Sequence, residues 1–322
     1  MNARNQILDL KKRMASAVIG QELVINQLLI ALLANGHILM EGLPGLAKTR
    51  TIKILAANVE SEFRRIQFTP DLLPSDITGT EIYVGEAADN KFQFQQGPVF
   101  GNLILADEIN RAPAKAQAAL LEAMEERQVT VAGKTHPLPE LFLVLATQNP
   151  IEQEGTYPLP EAQMDRFLLH VFVGYANDDD ERKILELVRA EDAGKKATEN
   201  GKIAAQTIFA ARKEVLAVQV AEAVENYMVA LIATTRRPGD YKDAKFSKWI
   251  KYGASPRGTL ALDRGARAHA WLDGRDTATP DDVKAAVHPC LRHRLILTYE
   301  AEAEGITKDN VLDEILKQVA VA

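Results

Sequence analysis

The segment from Gly42 to Thr49 contains residues whose types and spacing could do chemistry, because its glycines precede a lysine and then a hydroxyl residue. It follows a short apolar run and precedes a segment with helical character, which is the context that a phosphate-binding loop requires. In such a loop, backbone N–H groups surround the phosphates, the lysine reaches the outer phosphates and the hydroxyl binds magnesium. The residues that we predict to bind phosphate are Gly42, Leu43, Pro44, Gly45, Leu46, Ala47, Lys48, Thr49 and Arg50.

Ala47 departs from the usual pattern, which has a glycine immediately before the lysine. Its methyl group restricts the backbone torsions and crowds the approach to a phosphate, so we expect weaker or slower binding. The alternative for the whole segment is a glycine-containing turn that only joins a strand to a helix.

A second candidate site is the acid pair Asp107 and Glu108, which follows the apolar run Leu103–Ala106. Asp107 is predicted to hold the magnesium shell together with Thr49, and Glu108 to polarise an attacking water. The alternative is an acidic cap on a following helix. A third strand-like run ends at Asn149, which could orient the same water. Because Asn149 precedes a proline, a simple turn is its alternative.

Strand-like and helix-like runs alternate in the first half of the chain, and this rhythm predicts an α/β fold with a mainly parallel sheet covered by helices. Ligands of such sheets bind at the carboxyl ends of the strands, where the predicted chemical residues lie. Two further segments, Glu81–Gly97 and Val129–Leu138, are predicted hairpins that turn near residues 88–90 and at Gly133. The strand-like runs are His37–Met40, Phe63–Phe68, Leu103–Ala106 and Leu141–Ala146.

Strand-like runs stop after Val173, and the rest of the chain has an almost wholly helical pattern. Asn177 is predicted to cap the first of these helices, and the segments 204–235 and 257–272 are predicted to be helical. We therefore expect two domains, an α/β domain in residues 1–175 and a helical domain in residues 176–322.

The net charge of −6 and the sequence pI of about 5.7 disfavour nucleic acid as a partner, because binding to a polyanion needs basic surface. The single cysteine, Cys290, cannot form an intramolecular disulfide, and no apolar run reaches membrane-spanning length. The expected location is the cytoplasm.

The motifs resemble those of the AAA+ ATPases, and their amino-acid sequences resemble the MoxR family in particular. The most specific stretches are Ile66–Gly79, Ala106–Glu126 and Thr147–Phe167. The resemblance implies an AAA+ αβα P-loop domain with a mainly parallel five-stranded sheet and two hairpin inserts, followed by an all-helical lid. It also implies ATP and Mg²⁺ as ligands and a ring, commonly hexameric, with ATP sites between subunits.

The resemblance implies further site residues. Arg166 resembles the arginine finger that reaches into the neighbouring subunit's site, and Arg257 resembles the sensor 2 arginine of the lid. Whether Arg257 acts on its own subunit's nucleotide or on a neighbour's stays open. Ile19 and Gly20 resemble the segment that lines the adenine pocket. The two hairpins resemble inserts that face a ring pore or a partner, although two solvated hairpins are the alternative.

The leading hypothesis is Mg-dependent ATP hydrolysis by a ring-forming ATPase that remodels or activates a partner protein. By resemblance, a protein with a von Willebrand factor A domain is the expected partner. The alternatives are a DNA-associated AAA+ motor and a nucleotide-gated binding module with little turnover. Neither the client protein nor the pathway can be read from the sequence.

Overall fold

The computed structural model describes residues 2–46, 48–85, 92–150, 155–194, 201–241 and 244–321. The α-helices of these residues are α1 (Ala3–Ala17), α2 (Glu22–Leu33), α3 (Lys48–Asn58), α4 (Pro74–Thr78), α5 (Ala114–Glu126), α6 (Glu161–Met164), α7 (Asp178–Asp192), α8 (Ala205–Leu216), α9 (Glu222–Arg236), α10 (Pro256–Leu272), α11 (Pro280–Leu291), α12 (Tyr299–Ala303) and α13 (Lys308–Gln318). The strands are β1 (Ile38–Gly42), β2 (Phe63–Gln67), β3 (Gly79–Tyr83), β4 (Phe92–Gln96), β5 (Leu103–Asp107), β6 (Gln128–Val131), β7 (Lys134–Pro137), β8 (Leu143–Gln148), β9 (Leu169–Val173), β10 (Gln219–Val220), β11 (Ile250–Tyr252), β12 (Thr277–Ala278) and β13 (Ile296–Leu297).

The central sheet has five strands in the order β2-β5-β8-β1-β9, and every neighbouring pair is parallel. This confirms the predicted parallel five-stranded sheet. Glu41 of β1 pairs in register with Gln148 of β8, and Gln67 of β2 pairs with Asp107 of β5. The carboxyl ends of these strands therefore meet at one edge of the sheet.

Strands β5 and β8 are buried on both faces, which explains why they are almost continuously apolar. Their side chains alternate between two hydrophobic clusters. Leu105 and Leu145 belong to the cluster shared with α1 and α2, whereas Ile104 and Val144 belong to the cluster shared with α5. This alternation fixes the register, because a shift by one residue would exchange the two faces.

Two antiparallel hairpins leave the sheet, β3 with β4 and β6 with β7. Both were predicted. The second turns at Ala132 and Gly133, which both have positive φ, as a two-residue hairpin turn requires. The predicted turn of the first hairpin, near residues 88–90, lies outside the described residues, as do Ala47 and residues 151–154.

The segment after α7 is mainly helical, with two short strand pairs, β10 with β12 and β11 with β13. The prediction of one helix over residues 204–235 was wrong, because α8 ends at Leu216 and α9 begins at Glu222. The residues between them include β10, which pairs with β12. The predicted helix at 257–272 is confirmed as α10, and Asn177 caps α7 by accepting a 2.9 Å hydrogen bond from the Asp180 N–H.

The helical segment is joined to the sheet by a continuous hydrophobic cluster that runs from α1 to α13. Arg294 adds polar bonds across this junction. Its Nε donates to the Asp165 carboxylate at 2.7 Å, and its Nη2 donates to the Phe167 carbonyl oxygen at 2.7 Å. A boundary at residue 175 stays a prediction. Among the described residues, no helix combines the length and the apolar character needed to cross a lipid bilayer.

Candidate active site

The predicted phosphate-binding loop lies between β1, which ends at Gly42, and α3, which begins at Lys48. Lys48 Nζ donates hydrogen bonds to the carbonyl oxygen of Gly42 and, at 3.1 Å, to that of Gln148 at the end of β8. Gly45 has φ of +83°, and a Cβ built there would meet no atom within 4 Å. Backbone conformation, not crowding, therefore explains the glycine at this position.

The acid pair and the lysine lie on either side of β8, which separates β5 from β1 in the sheet. Thr147 of β8 donates a 2.7 Å hydrogen bond from Oγ1 to Asp107 Oδ1, and the same Oγ1 accepts the N–H of Glu108 at 2.9 Å. The next residue, Gln148, accepts from Lys48. Two consecutive residues of one strand thus bring Lys48, Asp107 and Glu108 together at one edge of the sheet.

Glu108 has a left-handed backbone conformation, with φ of 56° and ψ of 50°, which is rare for residues other than glycine. Its carboxylate accepts hydrogen bonds from Gln67 Nε2 at 2.9 Å and from Arg111 Nη1 at 2.8 Å. Strained residues of this kind persist when several bonds hold them, and they concentrate at active sites. These two contacts hold the Glu108 carboxylate at the carboxyl end of β5.

Arg65 and Gln67 are polar neighbours of the acid pair that the sequence interpretation missed. Arg65 donates to Asp107 Oδ2 from Nη2 at 2.6 Å and from Nε at 3.1 Å. Both side chains project from the same face of β2, because residues two apart in a strand share a face. That spacing was the available signal, but only the pairing of β2 with β5 shows which acids they reach.

The donor set at this edge fits a magnesium ion. Carboxylate and hydroxyl oxygens bind Mg²⁺ in nucleotide sites, and Asp107 and Thr49 supply these types. Asp107 has a relative exposure of 9%, and each of its oxygens has a described partner. A carboxylate oxygen has a second lone-pair site, so Asp107 can also accept a metal-bound water. Asn149 follows β8 directly and is buried.

An apolar cavity of about 610 Å³ opens next to the phosphate-binding loop. Ile19 lines it, and the adjacent Gly20 has φ of +73° and packs close to Asp180 at the start of α7. The predicted adenine segment and the loop therefore border one cavity. Its lining residues include Val18, Ile19, Gly45, Leu46, Ile184 and Val188.

Arg50 links α3 to α7 across this apolar cavity. Its guanidinium forms two hydrogen bonds with the Glu191 carboxylate, at 2.5 and 3.2 Å, and its Nε donates to the Ala17 carbonyl oxygen at 2.8 Å. The Arg50 guanidinium holds the pKa of the Glu191 carboxyl below its usual value. No residue of α7 is buried, so the helix depends on such contacts and on its apolar face for its position.

Comparison with known proteins shows the family to which the chain belongs. Residues 37–169 match the model of the ATPase family associated with various cellular activities (AAA), and residues 246–315 match the AAA lid domain. Chaperone MoxR1 of Mycobacterium tuberculosis is 44% identical over 305 residues, which cover 94% of this chain and 79% of that protein. The chain belongs to the MoxR family of AAA+ ATPases.

Two other relatives support the MoxR assignment and the fold. The protein YeaC of Bacillus subtilis is 44% identical over 293 residues, covering 91% of this chain and 88% of that protein. A crystal structure from Cytophaga hutchinsonii, described as a candidate ATPase, has a TM-score of 0.91 and 45% identity, covering 99% of this chain and 96% of that chain. As a member of the AAA+ ATPases, this MoxR-family protein is a nucleotide-binding ATPase.

The two predicted arginines of this MoxR-family ATPase lie away from the apolar cavity. Arg166 and Arg257 line a separate cavity of about 380 Å³, which we call the arginine cavity. Among the described residues, the two cavities share no lining residue. The structure thus brings Lys48, Asp107 and Glu108 together and places Arg166 and Arg257 elsewhere. The arginines that line the arginine cavity are Arg127, Arg166, Arg257, Arg264 and Arg294.

Proposed function

We propose that this MoxR-family ATPase hydrolyses ATP with magnesium at the edge formed by β1, β5 and β8. The single observation that carries the proposal is the convergence of Lys48 on Gln148 and of Asp107 and Glu108 on Thr147. Phosphoryl transfer depends mainly on positioning and charge compensation, and this arrangement supplies both.

Each residue has a distinct part in the proposal. Lys48 neutralises charge on the outer phosphates, and the loop N–H groups and the start of α3 hold the phosphate chain. Glu108 orients the attacking water and accepts its proton, with Asn149 on the same edge. Thr49 and Asp107 hold the magnesium ion, which when bound compensates the phosphate charge. The adenine base occupies the apolar cavity beside Ile19 and Gly20.

Arg166 and Arg257 act on a neighbouring subunit's nucleotide in this proposal. Both line the arginine cavity, which is separate from the apolar cavity of their own subunit. An arginine supplied by a neighbour stabilises charge in the transition state of phosphoryl transfer. The functional unit is accordingly a ring, which we propose to be hexameric, with each site completed across a subunit boundary.

The output of hydrolysis in the proposal is remodelling or activation of a partner protein. The name of the relative Chaperone MoxR1 supports this direction. The proposed partner carries a von Willebrand factor A domain, and the two hairpins are the proposed contact elements. Nucleic acid is disfavoured by the net charge of −6.

The catalytic role of Glu108 is tested with the Glu108→Gln variant. Turnover should fall by roughly 10²–10³-fold, as on loss of other groups that stabilise a transition state, whereas ATP binding and ring assembly should persist. Phosphate release, nucleotide binding and native mass spectrometry measure the three properties. Unchanged turnover would remove Glu108 from the mechanism, and stimulation of the wild-type ATPase by DNA would favour the motor alternative.

The action of the arginines across the subunit boundary is tested by mixing two inactive variants. Arg166→Ala has an intact phosphate-binding loop, and Lys48→Ala has intact arginines. If the arginine serves a neighbour, mixed rings contain competent sites and hydrolyse ATP faster than the two separate proteins together. No gain on mixing, despite proven co-assembly, would show that Arg166 serves its own subunit.

A further inference from the structure

Glu125, near the end of α5, contacts both predicted arginines. Its Oε1 accepts a hydrogen bond from Arg257 Nη2 at 2.5 Å, and its Oε2 lies 3.8 Å from Arg166 Nε. The three residues come from different parts of the chain, since Arg257 lies in the first turn of α10 and Arg166 follows α6. The Glu125 side chain is 35% exposed, so it sits at the mouth of the arginine cavity and not in the hydrophobic core.

Positive charge is in excess around Glu125. The arginine cavity has two carboxylates among its described lining residues, Glu125 and Asp165. Asp165 is engaged by Arg294 at 2.7 Å and by the Ser255 hydroxyl at 2.8 Å. Glu125 is thus the other carboxylate in a lining that also contains Arg127, Arg166, Arg257 and Arg264, and it contacts Arg166 and Arg257.

The surrounding groups reinforce this excess. Arg127 is held in place by hydrogen bonds to the carbonyl oxygens of Phe142, at 2.8 Å, and Asn35, at 3.0 Å. Burial and the nearby Arg264 lower its pKa. Without the Glu125 carboxylate, Arg166 and Arg257 would face these cations and each other with no shared anion, and like charges at such distances repel.

We propose that Glu125 is a positioning residue that holds Arg166 and Arg257 side by side, so that both reach the phosphates of a neighbouring subunit's nucleotide together. This inference rests on the proposed function, in which both arginines act across the subunit boundary. A carboxylate offers one oxygen to each guanidinium, which offsets their repulsion and fixes their spacing. The remaining donors of each guanidinium stay available for phosphate oxygens.

Three substitutions separate charge from shape at Glu125. Glu125→Ala should lower kcat by about tenfold, less than loss of a group that itself contacts the transition state. The KM for ATP should change by less than about twofold, because the base and most phosphate contacts belong to the other subunit. Glu125→Gln keeps the shape without the charge and should lose turnover like Glu125→Ala. Glu125→Asp keeps the charge and should retain most of the activity.

A rescue experiment provides the decisive readout. Glu125→Ala protein, with its intact phosphate-binding loop, is mixed with Lys48→Ala protein, with its intact Glu125 and arginines. The phosphate-binding loops of the Glu125→Ala subunits should receive well-positioned arginines from the Lys48→Ala subunits. The turnover of the mixture should therefore exceed the summed turnovers of the two separate proteins. A defect in the folding of the variant subunit would not be repaired in this way. Glu304→Ala, which changes an exposed glutamate on the C-terminal side of α12, is the matched control and should keep wild-type kinetics.

Failure of action across the subunit boundary and failure of the Glu125 role give different results. If Arg166→Ala is not rescued by Lys48→Ala, the action across the boundary is wrong and the role of Glu125 falls with it. If Arg166→Ala is rescued, the proposal for Glu125 is overturned by wild-type or higher turnover of Glu125→Ala, or by a loss of turnover that mixing does not repair.

Discussion

Lys48 and Gln148 are joined by a 3.1 Å hydrogen bond from the lysine Nζ to the backbone carbonyl oxygen, between residues 100 positions apart in the chain. The bond ties Lys48, at the end of the phosphate-binding loop, to β8. Thr147, the residue before Gln148 in this strand, contacts both acids. Lysine, aspartate and glutamate are therefore held by one short piece of β8, and their spacing depends on the sheet more than on the loop.

Replacing Lys48 should remove turnover while leaving the fold intact. Lys48→Ala is expected to lower kcat/KM by at least about 10²-fold, because the charge that compensates the phosphates is lost. Steady-state phosphate release measures the effect, and circular dichroism checks the fold. Lys53→Ala, an exposed lysine on the same helix, is the control and should behave as wild type. Equal losses in both variants would contradict a specific role for Lys48.

Arg65 should compete with magnesium for Asp107. Its guanidinium donates twice to Asp107 Oδ2, at 2.6 and 3.1 Å. Arg65→Ala is therefore expected to lower the Mg²⁺ concentration for half-maximal ATPase by about threefold, the scale of one partly exposed ion pair. Arg64→Ala is the matched control, because Arg64 pairs with Glu62 instead. A magnesium titration that does not move in Arg65→Ala, or moves equally in both variants, would argue against this competition.

Glu191 should help to retain the nucleotide base. Glu191→Gln removes the charge from the pair with Arg50, so α7 should close less tightly over the apolar cavity. The expected result is an increase in the KM for ATP of about twofold to fivefold with a smaller change in kcat. This size is consistent with loss of an exposed ion pair that has two hydrogen bonds. Glu186→Gln, an exposed glutamate on the same helix, tests for a general charge effect. A fall in kcat at constant KM would point to catalysis and not to retention.

His37 should make stability depend on pH. Burial, followed by the charge of Arg127, lowers the pKa of its imidazole from 6.5 to about 3. Its Nδ1 accepts the Val144 N–H at 3.0 Å, and a proton there would break that bond. Between pH 6.5 and 3 the unfolded chain binds a proton that the folded chain does not. The free energy of unfolding contributed by His37 therefore falls as the pH is lowered through this window.

The size of this effect is about 1.4 kcal/mol between pH 7.5 and 5.5, from the linkage between proton binding and unfolding. Urea denaturation of wild type and His37→Gln at the two pH values measures it. The wild type should lose about 1.4 kcal/mol more than the variant on acidification. Equal losses in both proteins would show that His37 does not contribute.

The sequence predicted the sheet and the positions of the chemical residues well for a physical reason. Parallel strands end at one edge, so residues that follow buried apolar runs must meet there, as Lys48, Asp107 and Glu108 do. Register could not be predicted in the same way. Arg65 and Gln67 were visible as polar residues of a strand, but only the pairing of β2 with β5 placed them on the acids.

Other features depended on long-range contacts that no local pattern shows. The break between α8 and α9 follows from pairing of Gln219–Val220 with a strand far along the chain. Likewise, nothing in the sequence around Arg166 or Arg257 indicates that both reach Glu125. The catalytic and nucleotide-binding roles stay predictions until the variants are measured.

Arg294 makes the junction between the sheet and the helical segment stiff. One buried guanidinium bonds the side chain of Asp165 and the backbone of Phe167, immediately on either side of Arg166. Tilting the helical segment relative to the sheet would either break these bonds or move Arg166 together with the segment. In the proposed ring, each subunit should therefore move as one rigid unit, so that motion driven by hydrolysis occurs mainly at the boundaries between neighbouring subunits.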